Sequence, residues 1–361
     1  MAPIEVTSIL FKEFVNDGKV PEDNFVVNKE QRIDPEADLK DGQIFLRLLY
    51  LSVDPYMRTR MRKMESYYLG SGFEPGKPLQ GGCVAQVVAS KAPGFAEGEV
   101  VSGMLPWSSH QIVEADAQKG LHKVEPSLLG KVPLSYFVGV LGMPGMTAWS
   151  GLKKIAEPIK EGEVALVSAA AGAVGLIVGQ LLKHVYGCKV IGSAGSNDKV
   201  ALLRELGFDA AFNYHTTPKE QALKEAAPDG IDIYWENVGG PVLETVIEMC
   251  RPHARIVACG MISQYDLPDE EKYGVKNLFH VVTKRIKMQG MVVADYYAEL
   301  GKEFATTMGK YVTEGKVKAV EHVTEGIENA GKAWVEMMVG GNTGKAVVKV
   351  AAEDPFPVKK E

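Results

Sequence analysis

Residues 164–179, VALVSAAAGAVGLIVG, constrain this chain more than any other stretch. Four apolar residues, Val164-Ala165-Leu166-Val167, run into Ala169-Ala170-Ala171-Gly172-Ala173-Val174-Gly175, and a second apolar run carrying Gly179 follows. This is a buried strand, a glycine turn and the start of a helix, the pattern of a dinucleotide-binding βα unit. Gly172 lets a pyrophosphate approach the backbone with no Cβ in the way. Gly175 and Gly179 are expected to let the helix lie close on the strand, and bare amides at the helix N-terminus then face the phosphate charge. Ala169 stands where the common fingerprint has its first glycine, so the motif is A-x-x-G-x-x-G. The same pattern also makes a tight strand-to-helix turn in an ordinary α/β protein. The surrounding chain has to separate the two.

From residue 164 onward, strand and helix patterns alternate. Strand 164–168 precedes helix 174–185, strand 189–193 precedes helix 198–206, and strand 211–213 precedes helix 218–226. Strand 231–235 precedes helix 242–249, strand 255–259 follows, and a sixth strand, 286–293, precedes helix 297–313. Repeated units of this length predict a parallel, doubly wound sheet of six strands, the full dinucleotide-binding (Rossmann) complement. Ahead of it, residues 1 to about 130 read as short β segments at 7–14, 24–28, 43–53 and 81–89, parted by Asp, Gly and Pro clusters. The glycine-rich stretch 136–154 has a helical period and bridges the two regions. After residue 315 come an amphipathic helix, 326–339, and a closing strand, 346–350. Neither has a place in a six-stranded sheet, so the tail is expected to return to the N-terminal region. The expected division is a β-rich substrate domain of residues 1–133 and 314–361 and a nucleotide-binding domain of residues 134–313, with a ligand in the cleft between them.

Composition excludes other classes. The chain has 361 residues, nearly half of them hydrophobic and about a quarter charged, as in a globular protein. A net charge of −6 gives no footing for nucleic acid or an acidic membrane surface. No apolar run reaches the length of a membrane span, and MAPIEVTSILFKEF lacks the basic-then-apolar order of a secretory signal. Cys83, Cys188, Cys250 and Cys259 follow no disulfide framework, so reduced thiols and a cytoplasmic setting are expected.

The choice of nucleotide is written after the second strand. NAD enzymes of this fold carry Asp or Glu about 20 residues beyond the glycine turn. Here the segment reads Val190-Ile191-Gly192-Ser193-Ala194-Gly195-Ser196-Asn197-Asp198-Lys199, with small neutral residues at the strand end. A 2′-phosphate would be repelled by an acid and held by Lys199 through a charge-assisted bond. This predicts NADP(H), with a solvated helix-face lysine as the alternative for Lys199. Asp198 is expected to face the helix N-terminus. No metal site is expected. Cys250, His253 and Cys259 resemble half a zinc site, but Cys259 lies in an apolar strand and no fourth ligand is near. Without zinc to polarise a carbonyl, alcohol–aldehyde interconversion is harder. Hydride delivery to a conjugated carbon–carbon double bond needs only a nicotinamide, an oriented substrate and a donor for the enolate oxygen.

The motifs Asp54-Pro55-Tyr56-Met57-Arg58, Gly142-Met143-Pro144-Gly145-Met146-Thr147-Ala148 and the AAAGAVG turn resemble a known family. So do Gly195-Ser196-Asn197-Asp198-Lys199-Val200, Phe212-Asn213-Tyr214, Glu236-Asn237-Val238-Gly239-Gly240, Thr283-Lys284-Arg285-Ile286 and Asn342-Thr343-Gly344-Lys345. With Cys259-Gly260-Met261-Ile262-Ser263-Gln264-Tyr265 between them, they span residues 54–345 in order. The chain resembles the zinc-independent medium-chain dehydrogenase/reductases, and within them the NADP-dependent alkenal/one oxidoreductases, a group that holds the leukotriene hydroxydehydrogenase/prostaglandin reductases and the plant-type double-bond reductases.

The resemblance implies a GroES-like β-rich catalytic domain beside the Rossmann domain, NADPH as cofactor, a small enal or enone substrate and a homodimer. It assigns Gly172, Ala173, Val174 and Gly175 to the pyrophosphate, and Lys199 and Tyr214 to the adenosine phosphate. Asn237 lies along the cofactor. Cys259, Gly260, Met261, Ile262, Ser263, Gln264 and Tyr265 wrap the nicotinamide side, with Met291, Val292 and Val293, and Asn342 closes over it. Tyr265 bonds the substrate carbonyl and aids protonation, and Tyr56 lines the substrate pocket. The loop 63–73, KMESYYLGSGF, departs from the family pattern, as does Gly82 after Gly81, where many plant relatives carry an aromatic residue. Tyr67, Tyr68 and Phe73 supply that aromatic wall or merely cover a hydrophobic rim. The bland readings are edge or turn residues for Tyr214, Asn237 and Asn342, core packing for Tyr56, and a strand-capping loop residue for Tyr265. Two other functions fit the same motifs: an NADPH:quinone reductase of the same superfamily, and an NADPH-binding protein without catalysis.

Overall fold

The computed structural model describes residues 3–63, 72–114 and 120–358. The chain divides into two compact units. One comprises residues 1–142, 321–342 and 346–361, and the other 143–320 and 343–345.

The first unit is built from antiparallel strands. A hairpin pairs β1 (Ile4–Phe11) with β2 (Phe25–Ile33). Asp34 then caps a single turn, α1 (Pro35–Asp38), by accepting the amides of Glu36 and Ala37. The long strands β3 (Ile44–Ser52) and β4 (Gln80–Ser90) form the centre, with the turn α2 (Met57–Arg60) between them in sequence. β5 (Val100–Pro106), β6 (His110–Val113) and β7 (His122–Lys123) follow. Leu49, Tyr50, Val84, Val100, Leu134 and Val347 meet in one buried cluster, and Val6, Ile33, Leu39 and Phe45 in another.

The second unit opens with α3 (Met143–Gly151), prolonged by a turn of π-helix, Leu152–Ala156. β8 (Val164–Val167), α4 (Ala173–His184), β9 (Lys189–Ala194), α5 (Asn197–Glu205), β10 (Ala210–Asn213) and α6 (Lys219–Ala226) come next. β11 (Ile231–Glu236), α7 (Gly240–Met249), β12 (Cys250–Ala258), α8 (Phe279–Thr283), β13 (Lys287–Gly290) and α9 (Tyr297–Thr313) complete it. The strand order is β10-β9-β8-β11-β12-β13, with every pairing parallel. The predicted six-stranded doubly wound sheet is therefore present. All four residues of β8 are buried, which is why its run is apolar without alternation. The connections from β8 and β11 leave in opposite directions, so the sheet has its switch point between these two strands.

Most of the tail belongs to the first unit, while residues 343–345 fall in the second. β14 (Glu321–Glu325) and β15 (Lys345–Lys349) flank α10 (Ala330–Met338). β15 pairs antiparallel with β3, giving the order β14-β15-β3-β4-β5-β7, with β6 also on β3. Among the described residues, no helix is long and apolar enough to cross a membrane.

One glycine has a different partner from the one expected. A Cβ on Gly175 would meet Ala169 O at 2.6 Å and Ala170 Cα at 2.8 Å, so Gly175 does let α4 start close against its own turn. A Cβ on Gly179 would instead overlap the ring of Phe208, which follows α5. Gly179 makes room for that ring, and Gly192 of β9 faces it too, with Phe208 Cδ1 at 2.9 Å from its own Cβ position. Gly179→Ala should lower stability by about 1–3 kcal/mol through overpacking. The urea midpoint of the variant checks this, and an unchanged midpoint would contradict the packing.

Candidate active site

The turn after β8 is held by its own backbone. Ala169 has φ 47, a left-handed value that costs a non-glycine residue of order 1 kcal/mol. The Gly172 amide donates to Ala169 O at 3.0 Å, and Leu176 N to Gly172 O at 3.1 Å. Among the described residues, no side chain caps α4, so the amides of Ala173, Val174 and Gly175 open the helix uncovered by a neighbour's oxygen. A short return of the tail seals one flank: Gly344 N donates to Ala171 O at 2.8 Å, and Gly172 pairs with Gly344 as an isolated parallel bridge. Gly344 has φ 75, and a Cβ there would collide with Val320 O. Asn342 lies two residues upstream, in the other unit.

The ends of β8 and β11 are tied to each other by side chains. Asn237 N donates to Ser168 Oγ at 2.9 Å, and Asn237 Nδ2 to Ser168 O at 2.6 Å. The Trp235 indole donates to Asn237 Oδ1 at 3.2 Å. Glu236 Oε1 accepts from Ser168 Oγ at 3.1 Å and from Val238 N at 2.5 Å. The Asn237 side chain is thus engaged by protein on both its nitrogen and its oxygen, which fixes its orientation at this junction. Glu236 is fully buried, and burial raises its carboxyl above the ordinary 4.5, against the lowering effect of the Val238 and Gly239 amides. Among the described residues, Glu236 Oε2 and the Tyr234 hydroxyl have no hydrogen-bond partner of good geometry.

The segment Cys259 to Tyr265 folds over the same edge. Cys259 N and Gly260 N both donate to Glu236 O, at 2.9 and 3.1 Å. Ile262 N reaches Asn237 O and Ser263 N reaches Val238 O, at 3.0 and 3.1 Å. The Ser263 hydroxyl donates to Val238 O at 2.6 Å, and the Gln264 carbonyl oxygen accepts from Tyr273 N at 2.7 Å. Tyr265 curls back, so that Met261 N donates to its hydroxyl oxygen at 3.3 Å, and a Cβ on Gly260 would stand 2.9 Å from that oxygen. Burial raises the Tyr265 hydroxyl above its ordinary value, with Cys259 and Glu236 adding to the rise. It is therefore a proton-bearing donor at neutral pH. Burial pushes the Cys259 thiol to about 12, which leaves it inert. Met291 N donates to Ala258 O at 3.3 Å; Met291 and Val293 are buried, with Val292 between them half-buried.

At the end of β9, Ser193 and Ala194 are buried and no carboxylate stands there. Ser196 caps α5 by accepting from Lys199 N at 3.3 Å, and Asp198 lies in the first helical turn, as expected. Lys199 is half-buried, and burial lowers its ammonium. Tyr214 is exposed, its ring 4.4 Å from that of His215. Its hydroxyl stands 2.8 Å from the Cβ position of Gly195, so it lies close over the backbone there.

In the first unit, Tyr56 is buried and immediately precedes α2. Arg60, itself buried, interacts with the Tyr56 hydroxyl, and its guanidinium lies 4.3 Å from the Phe73 ring centre. Phe73 is buried and packs on Phe11 at 5.8 Å, so it belongs to the core of this unit. Tyr67 and Tyr68 lie outside the described residues. The four cysteines are free, and among the described residues no group of three or more His, Cys, Asp or Glu is arranged to hold a metal. Sequence reasoning passed over Ser168, Glu236 and Arg60. Glu236 was visible as an acid ending an apolar strand, a position that costs stability without a specific reason.

Family profiles agree with this architecture. One described as the N-terminal domain of oxidoreductase matches residues 9–124, and one described as zinc-binding dehydrogenase matches residues 173–310. The chain is 44% identical over 347 residues to the NADP(+)-dependent 2-alkenal reductase of Nicotiana tabacum, covering 96% of this chain and 97% of the relative. It is 41% identical over 323 residues to prostaglandin reductase 1 of Rattus norvegicus, covering 89% and 94%. The crystal structure of CurA from Vibrio vulnificus in complex with NADPH superposes with a TM-score of 0.85 at 36% identity, over 96% of this chain and 100% of that one. The chain belongs to the medium-chain dehydrogenase/reductase superfamily, in the NADP-dependent alkenal/one oxidoreductase family that includes 2-alkenal reductase and prostaglandin reductase.

The buried carboxyl of Glu236 links stability to pH. Its folded pKa lies above its unfolded value, so its contribution is complete below about 4.5 and is lost as pH rises through the folded value. Glu236→Gln removes that titration. The melting temperature of the variant relative to the native chain should therefore be higher at about pH 8 than at about pH 5. A difference that is constant, or that grows toward acid, would contradict this.

Proposed function

We propose that this chain reduces the carbon–carbon double bond of α,β-unsaturated aldehydes or ketones with NADPH. The observation that carries the reading is near-full-length identity of 44% with a 2-alkenal reductase, joined to a nucleotide site with a lysine and no acid after β9. The residues fit the cofactor. Gly172 leaves the approach to the turn open, and the uncapped amides of Ala173, Val174 and Gly175 suit a pyrophosphate. Lys199 and Tyr214 take the adenosine phosphate. The Cys259–Tyr265 segment, with Met291, Val292 and Val293, borders the nicotinamide, and Asn342 closes the site. When bound, NADPH supplies the hydride for the β-carbon of the substrate.

The chain's own contribution is orientation and a proton donor. Negative charge develops on the substrate carbonyl oxygen, and the Tyr265 hydroxyl donates a hydrogen bond to it. The amide of Met261 on the Tyr265 oxygen fixes the ring and polarises the O–H. Tyr56, held by Arg60, lines the substrate side. The edge strand β13 and the exposed apolar residues Leu278, Phe279 and Val282 of the neighbouring segment give a second copy a surface to cover, which supports a homodimer. Four free cysteines suit a reducing, cytoplasmic setting.

Tyr265→Phe should lower kcat with an enal by about 10²-fold and leave the Kd for NADPH unchanged. Equal turnover in the variant would remove Tyr265 from the mechanism. Lys199→Ala should weaken NADPH by about tenfold or more, with NADH little affected. Parallel losses with both nucleotides would contradict the phosphate assignment. An enal and a quinone assayed side by side with NADPH test the substrate class: preference for the quinone would overturn it.

A further inference from the structure

We propose that His215 is a second contact for the 2′-phosphate of the bound nucleotide and shares with Lys199 the discrimination of NADPH from NADH. The inference rests on the NADPH reading and extends it to a residue that the family motifs do not assign.

Two polar ring atoms converge on one bare point of backbone. From the Cβ position of Gly195, Tyr214 Oη is 2.8 Å away and His215 Nε2 is 3.7 Å away. His215 is exposed, and its Nε2 lies close to the backbone at Gly195, just beyond the end of β9. Its ring lies 4.4 Å from that of Tyr214 at an interplanar angle of 51°, so each fixes the other. The turn carrying both rings is pinned from three sides. Tyr214 N donates to Ala194 O at 3.1 Å, His215 N to Asn213 Oδ1 at 3.0 Å, and Thr217 N to Asn213 O at 2.9 Å. Asn213 is buried, and its Nδ2 donates to Asn197 Oδ1 at 2.9 Å. Asn197 is the first residue of α5, two before Lys199. The Asn213–Asn197 bond therefore sets the His215 turn in register with the helix that carries Lys199.

The charge requirement points the same way. A phosphate monoester carries about −1.5 to −2 charges at neutral pH. One half-buried lysine answers only part of that charge, and Asp198 in the same helical turn works against it. An imidazole Nε2–H donates to a phosphate oxygen when neutral and adds a full positive charge when protonated. A nucleotide with a plain 2′-hydroxyl has no use for it, so the effect of His215 should be confined to the phosphorylated cofactor.

Titration of intrinsic tryptophan fluorescence with NADPH and with NADH, on the native chain, His215→Ala and His215→Lys, tests this without turnover. The native chain should bind NADPH more tightly than NADH. His215→Ala should weaken NADPH by about tenfold while the Kd for NADH stays within about twofold, which also reports an intact fold. His215→Lys should restore most of the loss. Discrimination that persists undiminished in His215→Ala, or equal losses for both nucleotides, overturns the His215 assignment alone. A native chain that binds the two nucleotides equally overturns the NADPH reading, and the assignment with it.

Discussion

The hydrogen bonds that join Ser168 to Glu236 and Asn237 hold together the carboxyl ends of β8 and β11. These strands are neighbours whose chains part on leaving the sheet, and their backbone pairing ends with Ser168 N donating to Trp235 O at 3.1 Å. Beyond that bond the junction is made with side chains. Ser168 leads directly into the glycine turn, and Glu236 and Asn237 lead into Gly239 and Gly240, both with positive φ. The Cys259–Tyr265 segment then hangs from Glu236, Asn237 and Val238 by four backbone bonds. The glycine turn after β8, the Cys259–Tyr265 segment and the Tyr265 hydroxyl all take their positions from one buried junction. That junction is polar inside an apolar sheet, and a buried carboxyl there opposes stability.

Much of this was legible from the residues alone. The alternation of short strand patterns with helical periods is what makes the sheet legible, and β8, buried along its whole length, is apolar along its whole length. The lysine after β9 and the missing acid were equally plain, since charge is visible without coordinates. Element ends were less so. β12 begins at Cys250, five residues before the apolar pattern suggests, since Pro252 and the left-handed His253 (φ 67) break the alternation without ending the pairing. β13 spans only Lys287–Gly290 and is largely exposed, so the apolar residues around it belong to other contacts.

The side-chain junction could not be read from spacing. Ser168 and Glu236 are 68 residues apart, and only the parallel register of β8 on β11 brings them together. Local partners of single residues are hidden for the same reason: the Asn237 side chain is held by Ser168 and Trp235, and Gly179 accommodates Phe208. Phe73, read from the sequence as part of an aromatic wall or as cover for a hydrophobic rim, is buried against Phe11 and Arg60. Aromatic residues serve cores and pocket walls alike, and sequence position does not tell the two apart.

The proposed function has Tyr265 as donor and the glycine turn as nucleotide cradle, together directing reduction to carbon–carbon double bonds. The most direct measurement is reduction of an enal with NADPH deuterated at the nicotinamide C4, followed by NMR of the product. The account predicts a saturated aldehyde with the label on its β-carbon. An allylic alcohol with the label on the carbinol carbon would contradict it.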